Sequence, residues 1–180
     1  MPTPNFILRD ETPADYVAIS ELTIQAFRPL NFPELTEHFV IEALREAGAL
    51  TISRVAEIDG RVVGHIAFSP ITISDGTPEW YGLGPVSVLP EYQRQGIGKA
   101  LIAEGLARLK ASGARGCCLV GHPEYYGKVG FIHPDGLSHE GVPQDCFFAI
   151  TFDGVYPQGL ISFHEGFNAK SSPGEYLHQT

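Results

Sequence analysis

The stretch VLPEYQRQGIGKALI, residues 88–102, contains the turn around which the fold can be predicted. An apolar segment ends at Leu89-Pro90, a charged turn with two glycines follows, and apolar spacing then returns. From Gly96 to Lys110, small and apolar residues recur at the spacing of one helix face: Gly98, Leu101, Ile102, Gly105, Leu106 and Leu109. The next apolar run, GCCLVG at 116–121, predicts a short buried strand. Strand, turn, helix and strand predict a βαβ unit, whose two strands run parallel.

The segments before this unit favour helices and antiparallel strands. NFILRD, at 5–10, predicts an opening strand. Thr12 as N-cap, Pro13 at the first position and Asp15 in the first turn are typical of a helix start. A second helix is predicted from Pro33 to Ala47, ended by Gly48. Asp59-Gly60 between two apolar runs is a strong hairpin signal.

The segments after the hairpin predict further strands. EWYGLGPVSVLP, at 79–90, predicts a strand in which Gly82 and Gly84 mark a bulge. HPEYYGKV predicts a short helix, and DCFFAITF and GLISF predict late strands. We therefore expect a mixed α/β fold: a mostly antiparallel central sheet with one βαβ crossover and flanking helices. A single domain is expected over residues 1–167, with a polar tail at 168–180.

Composition disfavours two classes of partner. The 180 residues carry a formal net charge of −9, and 43% are hydrophobic and 18% charged, as in ordinary globular proteins. This charge disfavours binding to nucleic acid or to anionic membranes. Met1 to Arg9 lacks a signal-peptide pattern and no apolar run would span a bilayer, so a cytoplasmic location is expected.

The three cysteines predict neither a disulfide framework nor a metal site. Cys117 and Cys118 are adjacent and would point to opposite faces of a strand. The odd count, with Cys146 as the third, and the absence of a CxxC pattern argue against both kinds of site. Small buried hydrophobic residues are the expectation for all three, and no metal is expected.

The glycine turn has the chemistry of a phosphate site. The first N–H groups of a helix have no internal partner, and glycines let a phosphate approach them closely. Arg94 and Lys99 add positive charge. A P-loop would need glycine where Gln93 stands and Ser or Thr where Ala100 stands, while a dinucleotide fingerprint would need glycine at Leu101. Both of the common nucleotide motifs are therefore excluded.

The turn instead resembles the acyl-CoA motif of the GNAT N-acetyltransferase superfamily, (Gln/Arg)-x-x-Gly-x-(Gly/Ala). Gln93, Gly96 and Gly98 fill its fixed positions. The element order from about Asn5 to Phe152 is similar to that of the superfamily. Downstream, Tyr126 and the pair Gly130-Phe131 match its Tyr-x-x-x-Gly-Phe signature.

The resemblance implies roles for residues on both sides of the turn. Main-chain N–H groups would bind the CoA pyrophosphate at Arg94, Gln95, Gly96, Ile97, Gly98 and Lys99. Val86, Ser87 and Val88 would separate from the parallel neighbouring strand and pair with the pantetheine arm. The N–H of Val88 would stabilise the thioester oxyanion. Tyr126 would protonate the leaving CoA thiolate, with Tyr125 as the alternative.

The general base stays open at this point. Glu79 is the best-placed acid by the resemblance, and His65 and His122 are alternatives because histidine titrates near neutral pH. Where many members have an asparagine after the fifth strand, this chain has His122, Pro123 and Glu124. That departure puts the pantetheine contacts in doubt.

The implied activity is transfer of the acetyl group of acetyl-CoA to a primary amine by direct attack, without a covalent enzyme intermediate. The alternative from another class is a catalytically silent acyl-CoA-binding sensor or regulatory domain. A nucleotide-binding oxidoreductase would instead respond to NAD(P). The sequence does not identify the amine, and dimerisation through the last strands, common in the superfamily, is left open.

Overall fold

The computed structural model describes residues 5–32, 34–126 and 130–172, with the side chain of Tyr125 excepted. Gly127, Lys128 and Val129 of the Tyr-x-x-x-Gly-Phe signature, and most of the expected polar tail, lie outside the described residues. None of the helices described is long and apolar enough to cross a membrane.

The secondary structure consists of strands and helices in the predicted order, joined by short 3-10 turns. The strands are β1 (Ile7–Asp10), β2 (Ile52–Ile58), β3 (Arg61–Pro70), β4 (Thr72–Ile73), β5 (Trp80–Val88), β6 (Gly116–Val120), β7 (Leu137–Ser138), β8 (Phe147–Thr151) and β9 (Gly159–Ser162). The helices are α1 (Tyr16–Phe27), α2 (Glu37–Glu46), α3 (Ile97–Ala111) and α4 (Pro123–Tyr126). The 3-10 turns are Pro13–Asp15, Arg28–Leu30, Pro90–Tyr92, Gln144–Cys146 and Glu165–Asn168.

The central sheet has six strands in the order β1-β2-β3-β5-β6-β8. Neighbouring strands are antiparallel except β5 and β6, which are parallel and joined through α3. This confirms the mixed α/β class and its single βαβ crossover. The hairpin at Asp59-Gly60 is also confirmed, since both residues adopt the positive φ that its turn needs.

The start of α2 corrects one boundary. The helix was expected from Pro33, but it begins at Glu37, with Thr36 before it as the N-cap residue. The Glu37 carboxylate accepts a hydrogen bond from the Thr36 N–H at 3.1 Å. The buried face of the helix, Val40, Ile41 and Leu44, also starts only within this segment, so packing fixes the later start.

A second sheet of three short strands, in the order β4-β9-β7, was not predicted beyond β9. Two-residue strands such as β4 and β7 are too short to show alternation. This sheet lies over the half of the central sheet around Trp80, Cys118 and Phe147, where it forms its own apolar cluster. The α3 side of the central sheet is filled by a larger cluster that includes Phe68, Leu101 and Cys117. Cys117 and Cys118 therefore lie on opposite faces, as expected, and both are fully buried. Cys146 differs from the expectation because it is only partly buried.

The first residues of the expected tail, 168–172, lie against α2. The Ser172 hydroxyl donates to Glu42 at 2.7 Å, and the Glu165–Asn168 turn packs on the same helix.

Candidate functional site

The parallel strands β5 and β6 run together for a short distance and then separate. Their pairing extends from Trp80–Gly116 to Gly82–Cys118. Beyond it, β5 continues beside β3, while β6 continues beside β8. We call the resulting gap, between residues 83–88 of β5 and residues 119–121 at and directly after the end of β6, the cleft.

A bulge in β5 accompanies this separation. Ile66 pairs with Val86 but Phe68 pairs with Leu83, so β5 has one extra residue at Gly84-Pro85. Gly84 has a φ of 135°, which favours glycine. The expected bulge is thus confirmed at Gly84. Gly82 serves a different need, because the ring of Phe163 lies where its Cβ would be.

The hydrogen-bond register shows which main-chain groups face the cleft. The Leu89 N–H donates to Val63 O at 2.9 Å, so Val63 and Leu89 are a hydrogen-bonded antiparallel pair. Since such pairs alternate with non-bonded pairs, Ser87 bonds to His65, while Val86 and Val88 turn their N–H groups away from β3. The N–H groups of Val86 and Val88 therefore face the cleft.

The turn that follows β5 presents further N–H groups at the same end of the sheet. Arg94 and Gly96 both adopt positive φ, 63° and 89°, and reverse the chain into α3. The Ala100 N–H donates to Gly96 O at 3.0 Å, and the N–H groups before it precede the helical hydrogen bonds. The Gln93 side chain donates to Val88 O at 2.9 Å, which ties the turn to the end of β5.

The other residues expected around this turn differ in what they can offer. The side chains of Arg94 and Lys99 are exposed and can add positive charge. The side chain of Ile97 is buried in the core, so only its main chain is available to a ligand. Gln95 donates through its side chain to Glu91 O at 3.2 Å, which leaves its main chain as the group that lies along the turn.

Tyr126 is held against the end of β6. Its ring lies 5.8 Å from that of Phe148, measured between ring centroids. A Cβ at Gly121 would overlap the Tyr126 ring. Gly121 was not singled out from the sequence; its position directly after a strand and two residues before Pro123 was the available signal.

The register, extended beyond the last β5–β6 pair, puts Gly121, which contacts the Tyr126 ring, nearer to the level of Val86 than to that of Val88. Gly82 and Cys118 form the last pair between β5 and β6. Gly121 comes three residues after Cys118, just past the end of β6. Val86 also comes three positions after Gly82 if the bulged residues Gly84 and Pro85 are counted as one position. Two further residues of strand separate Val88 from this level, about 7 Å. Of the two N–H groups that face the cleft, that of Val86 is therefore nearer to the level of Gly121 than that of Val88, the residue expected as oxyanion donor.

Glu79 is not brought to the cleft. It is exposed and precedes β5, where its carbonyl accepts a hydrogen bond from the Arg115 N–H at 2.8 Å. The cleft opens at the other end of β5. At the usual rise per residue of a strand, Glu79 and Val86 lie about 20 Å apart. The expectation of Glu79 as general base is corrected on this distance.

The two histidines proposed as alternatives have contrasting surroundings. His65 is fully buried on β3, and desolvation lowers its pKa to about 3, with a smaller lowering from Arg45 and an opposing effect of Asp15. It is therefore neutral near pH 7 and is not a titrating base there. His122 is exposed at the end of β6, and its Nδ1 accepts the Glu124 N–H at 3.3 Å.

Comparison with known proteins agrees with this geometry. The family model described as "Acetyltransferase (GNAT) family" matches residues 16–131. The chain is 31% identical over 172 residues to the Escherichia coli K12 protein named "Uncharacterized N-acetyltransferase YhbS". The match covers 90% of this chain and 98% of that protein.

Two solved structures are similar over almost their whole length. A GNAT family acetyltransferase from Brucella melitensis, in complex with acetyl-CoA, has 45% identity and a TM-score of 0.81, over 91% of this chain and 98% of that one. YhbS from Escherichia coli, in complex with CoA, has 29% identity and a TM-score of 0.82, over 97% of this chain and 98% of that one.

Proposed function

The chain belongs to the GNAT acetyltransferase family, and on that premise we propose that it transfers the acetyl group of acetyl-CoA to a primary amine. The observation that supports the proposal is the cleft: the N–H of Val86 faces the gap between β5 and β6, and the Tyr126 ring packs against Gly121 directly after β6. The Val86 N–H would act on the carbonyl oxygen of a thioester, and the Tyr126 hydroxyl would act on its sulfur.

The donor would bind along the turn and the cleft. The N–H groups of residues 94–99 would bind the CoA pyrophosphate, helped by the positive end of α3 and by the exposed Arg94 and Lys99. The pantetheine arm would enter the cleft and pair with the main chain of Val86 and Val88 as an added strand. The acetyl-CoA and CoA complexes of the two similar structures support this donor.

The reaction would proceed by direct attack of the amine on the thioester carbon. The Val86 N–H would stabilise the oxyanion, and Tyr126 would give a proton to the CoA thiolate as the C–S bond breaks. A covalent acyl-enzyme on Cys117 or Cys118 is disfavoured, since both thiols are fully buried and burial raises the pKa of each. The thiolate, which is the nucleophilic form, is thereby suppressed.

The alternative, a silent acyl-CoA sensor, would bind the donor without needing a phenol at this position. Replacement of Tyr126 by Phe distinguishes the two functions. We expect Tyr126→Phe to lower kcat by about 100-fold or more, because the thiolate must then leave unprotonated. The Kd for CoA should stay within about twofold. The assay follows free thiol released from acetyl-CoA over a panel of primary amines, with Kd measured by titration calorimetry.

Tyr156→Phe is the matched control. That phenol lies beside Trp80 in the cluster under the second sheet, with ring centroids 6.2 Å apart, at the paired end of β5. Its removal should leave kcat unchanged. Equal kcat for Tyr126→Phe and the wild type would contradict the acid role of Tyr126. If no amine of the panel led to release of free thiol from acetyl-CoA, the sensor function would be favoured.

A further inference from the structure

The strands that line the cleft carry no side chain that could accept a proton from an amine. Residues 82–88 of β5 read Gly-Leu-Gly-Pro-Val-Ser-Val, and residues 119–121 read Leu-Val-Gly. A primary alkyl amine is mostly protonated near pH 7, so it must lose a proton before its nitrogen can attack a thioester. Because Glu79 lies at the far end of β5, a side chain that takes this proton has to come from an element that covers the cleft.

The two faces of the central sheet are covered by different elements. We call the face that carries Cys117 and packs against α3 the α3 face, and the face that carries Trp80 and Cys118 the second-sheet face. The Tyr126 ring contacts Leu119, which follows Cys117 by two residues, and it packs in the cluster of the α3 face. Since the acid occupies the α3 face beside the cleft, the second-sheet face is the side from which an amine would approach.

The second-sheet face is open to solvent beside the cleft. Val120 lies on this face because it follows Cys118 by two residues, and 43% of it is exposed. Beside the bulge of β5, a Cβ added at Gly84 would meet no atom within 4 Å. The second sheet therefore covers the paired part of β5 and β6 but leaves the end of β6 uncovered, and an amine can reach the cleft there.

His139 lies at the border of this opening. The parallel strands β7 and β9 are each followed by an aromatic ring, His139 after β7 and Phe163 after β9, and the two ring centroids are 5.2 Å apart. The Phe163 ring lies directly on Gly82, where its Cε1 would be 2.7 Å from an added Cβ. Gly82 forms the last pair between β5 and β6. His139 is therefore separated by one aromatic ring from the point at which the cleft begins, on the second-sheet face.

One nitrogen of the His139 ring can meet a substrate. The side chain is partly exposed, but Nδ1 is buried and has no hydrogen-bond partner among the residues described. The buried Nδ1 leaves Nε2 as the nitrogen that a substrate can reach. With its hydrogen on Nδ1, a neutral imidazole has a lone pair on Nε2, and histidine takes up and releases protons near neutral pH. The ring can thus take a proton from a substrate and pass it to solvent.

Two other histidines near the end of β6 are less suited to this step. His122 Nδ1 accepts the Glu124 N–H at 3.3 Å, so the neutral ring carries its hydrogen on Nε2 and offers a donor there. His133 lies on the α3 face, the side of Tyr126, because its ring centroid is 4.5 Å from that of Phe148. Neither presents a proton-accepting nitrogen to the second-sheet face.

We propose that His139 is the general base of the acetyl transfer and takes a proton from the substrate ammonium at Nε2, directly or through one water. The inference rests on the proposed function. The ammonium gives one proton to His139, and the free amine attacks the thioester carbon. As the N–C bond forms and the C–S bond breaks, the nitrogen loses its second proton, which replaces the one that Tyr126 gives to the sulfur. His139 releases its proton to water, so the products are the amide, CoA thiol and one proton in solution.

The kinetic test removes the imidazole in two ways. His139→Ala and His139→Gln should each lower kcat/KM for the best amine of the panel by about 100-fold, because general base catalysis typically contributes this much. The Kd for acetyl-CoA should stay within about twofold. Adding free imidazole should raise the kcat/KM of His139→Ala by about tenfold, since it supplies the missing base. A kcat/KM within twofold of the wild type in both variants would overturn the role of His139.

A comparison of two acceptors separates proton removal from a purely structural role. The second acceptor is the O-alkyl hydroxylamine of the same shape as the best amine, with oxygen in place of the carbon next to nitrogen, which is neutral at pH 7. For this acceptor, His139→Ala should lower kcat/KM by less than about tenfold, because no ammonium proton has to be removed. Equal losses for the two acceptors would show that the ring only shapes the site, and would overturn the proposal.

His164→Asn is the matched control. His164 directly follows Phe163 and is also partly exposed, but its Nδ1 accepts the Gly166 N–H at 3.0 Å, a bond that asparagine can keep. Its kcat/KM should equal that of the wild type for both acceptors. A loss in His164→Asn as large as that in His139→Ala would also overturn the proposal, since any change beside Phe163 would then have the same effect.

A structural readout does not depend on turnover. In a crystal structure with a bisubstrate analogue, in which the amine is joined to CoA through an acetyl bridge, the amine nitrogen should lie on the second-sheet face. It should be within about 3.2 Å of His139 Nε2 or share one water with it. A nitrogen on the α3 face would overturn the inference while leaving acetyl transfer intact. A wild-type chain that acetylates no amine would instead overturn the proposed function, and the role of His139 with it.

Discussion

At the scale of single residues, the position of the Tyr126 ring depends on the glycine against which it packs. A Cβ at Gly121 would overlap that ring. We predict that Gly121→Ala lowers kcat by displacing the phenol from the level of Val86, with little change in CoA affinity. In a double-mutant cycle, Gly121→Ala should have no further effect on kcat in a Tyr126→Phe background, since both changes remove the same acid. Additive losses would contradict this dependence.

His65 also makes a prediction about stability. Its pKa is lowered to about 3 by burial, while the unfolded chain has the ordinary value of 6.5. Between these values the unfolded state binds the extra proton, so the free energy of unfolding falls as the pH drops from 6.5 towards 3, by up to about 1.4 kcal/mol per pH unit. In His65→Asn this contribution should be absent. Urea unfolding at pH 7, 5.5 and 4.5 measures it, and identical pH slopes for variant and wild type would contradict it.

The sequence predicted those residues whose roles depend on neighbours along the chain, and it failed for residues whose roles depend on the fold. Gly96 and Gly98 could be found because a strand-turn-helix sequence requires them at a fixed spacing. Glu79 could not be placed correctly, because its distance from the cleft depends on which end of β5 separates from β6. Gly121 carried only a weak signal, its position directly after a strand, because its contact with the Tyr126 ring depends on how the chain folds back after β6.

At the scale of elements, the turn before α3 requires glycine at position 96, whereas the first turn of α3 tolerates alanine at position 98. Gly96 has a φ of 89°, a conformation that costs an L-residue about 1–2 kcal/mol. The nearest atom to a Cβ at Gly98, within the helix, would be Val88 Cγ2 at 3.9 Å, an ordinary contact. We predict that Gly96→Ala destabilises the protein by about 1 kcal/mol and weakens acetyl-CoA binding.

Gly98→Ala is the control for that prediction. It should leave acetyl-CoA binding nearly unchanged and raise the free energy of unfolding slightly, because alanine loses less backbone entropy in a helix. Calorimetric titration and urea unfolding of the two variants give both quantities. Equal behaviour of the two variants would show that the left-handed turn does not matter for the donor site.

The elements themselves were predicted where the sequence pattern is long. The 15-residue helix α3 shows four turns of apolar spacing, and its predicted limits differ from the observed ones by one residue. The start of α2 and the strands β4 and β7 were missed, because a two-residue strand carries no periodicity and a helix start depends on where its buried face begins.

At the scale of the whole molecule, the parallel pair β5–β6 is the feature that makes the fold a site. Every other pairing in the central sheet is antiparallel. Only where two parallel strands are connected through α3 do the ends separate, and the turn, the cleft and Tyr126 all lie at that separation. The order of elements could be predicted from the sequence, whereas the divergence of the strands could be anticipated only through the resemblance.

The central claim is that this cleft transfers an acetyl group from acetyl-CoA to nitrogen. The most direct measurement incubates the protein with [¹³C]acetyl-CoA and the amine panel, and quantifies free CoA and labelled product by mass spectrometry. The account predicts labelled amide and free CoA in equal amounts with at least one amine, and loss of both with Tyr126→Phe. Acetyl-CoA that binds but stays intact with every amine would contradict it.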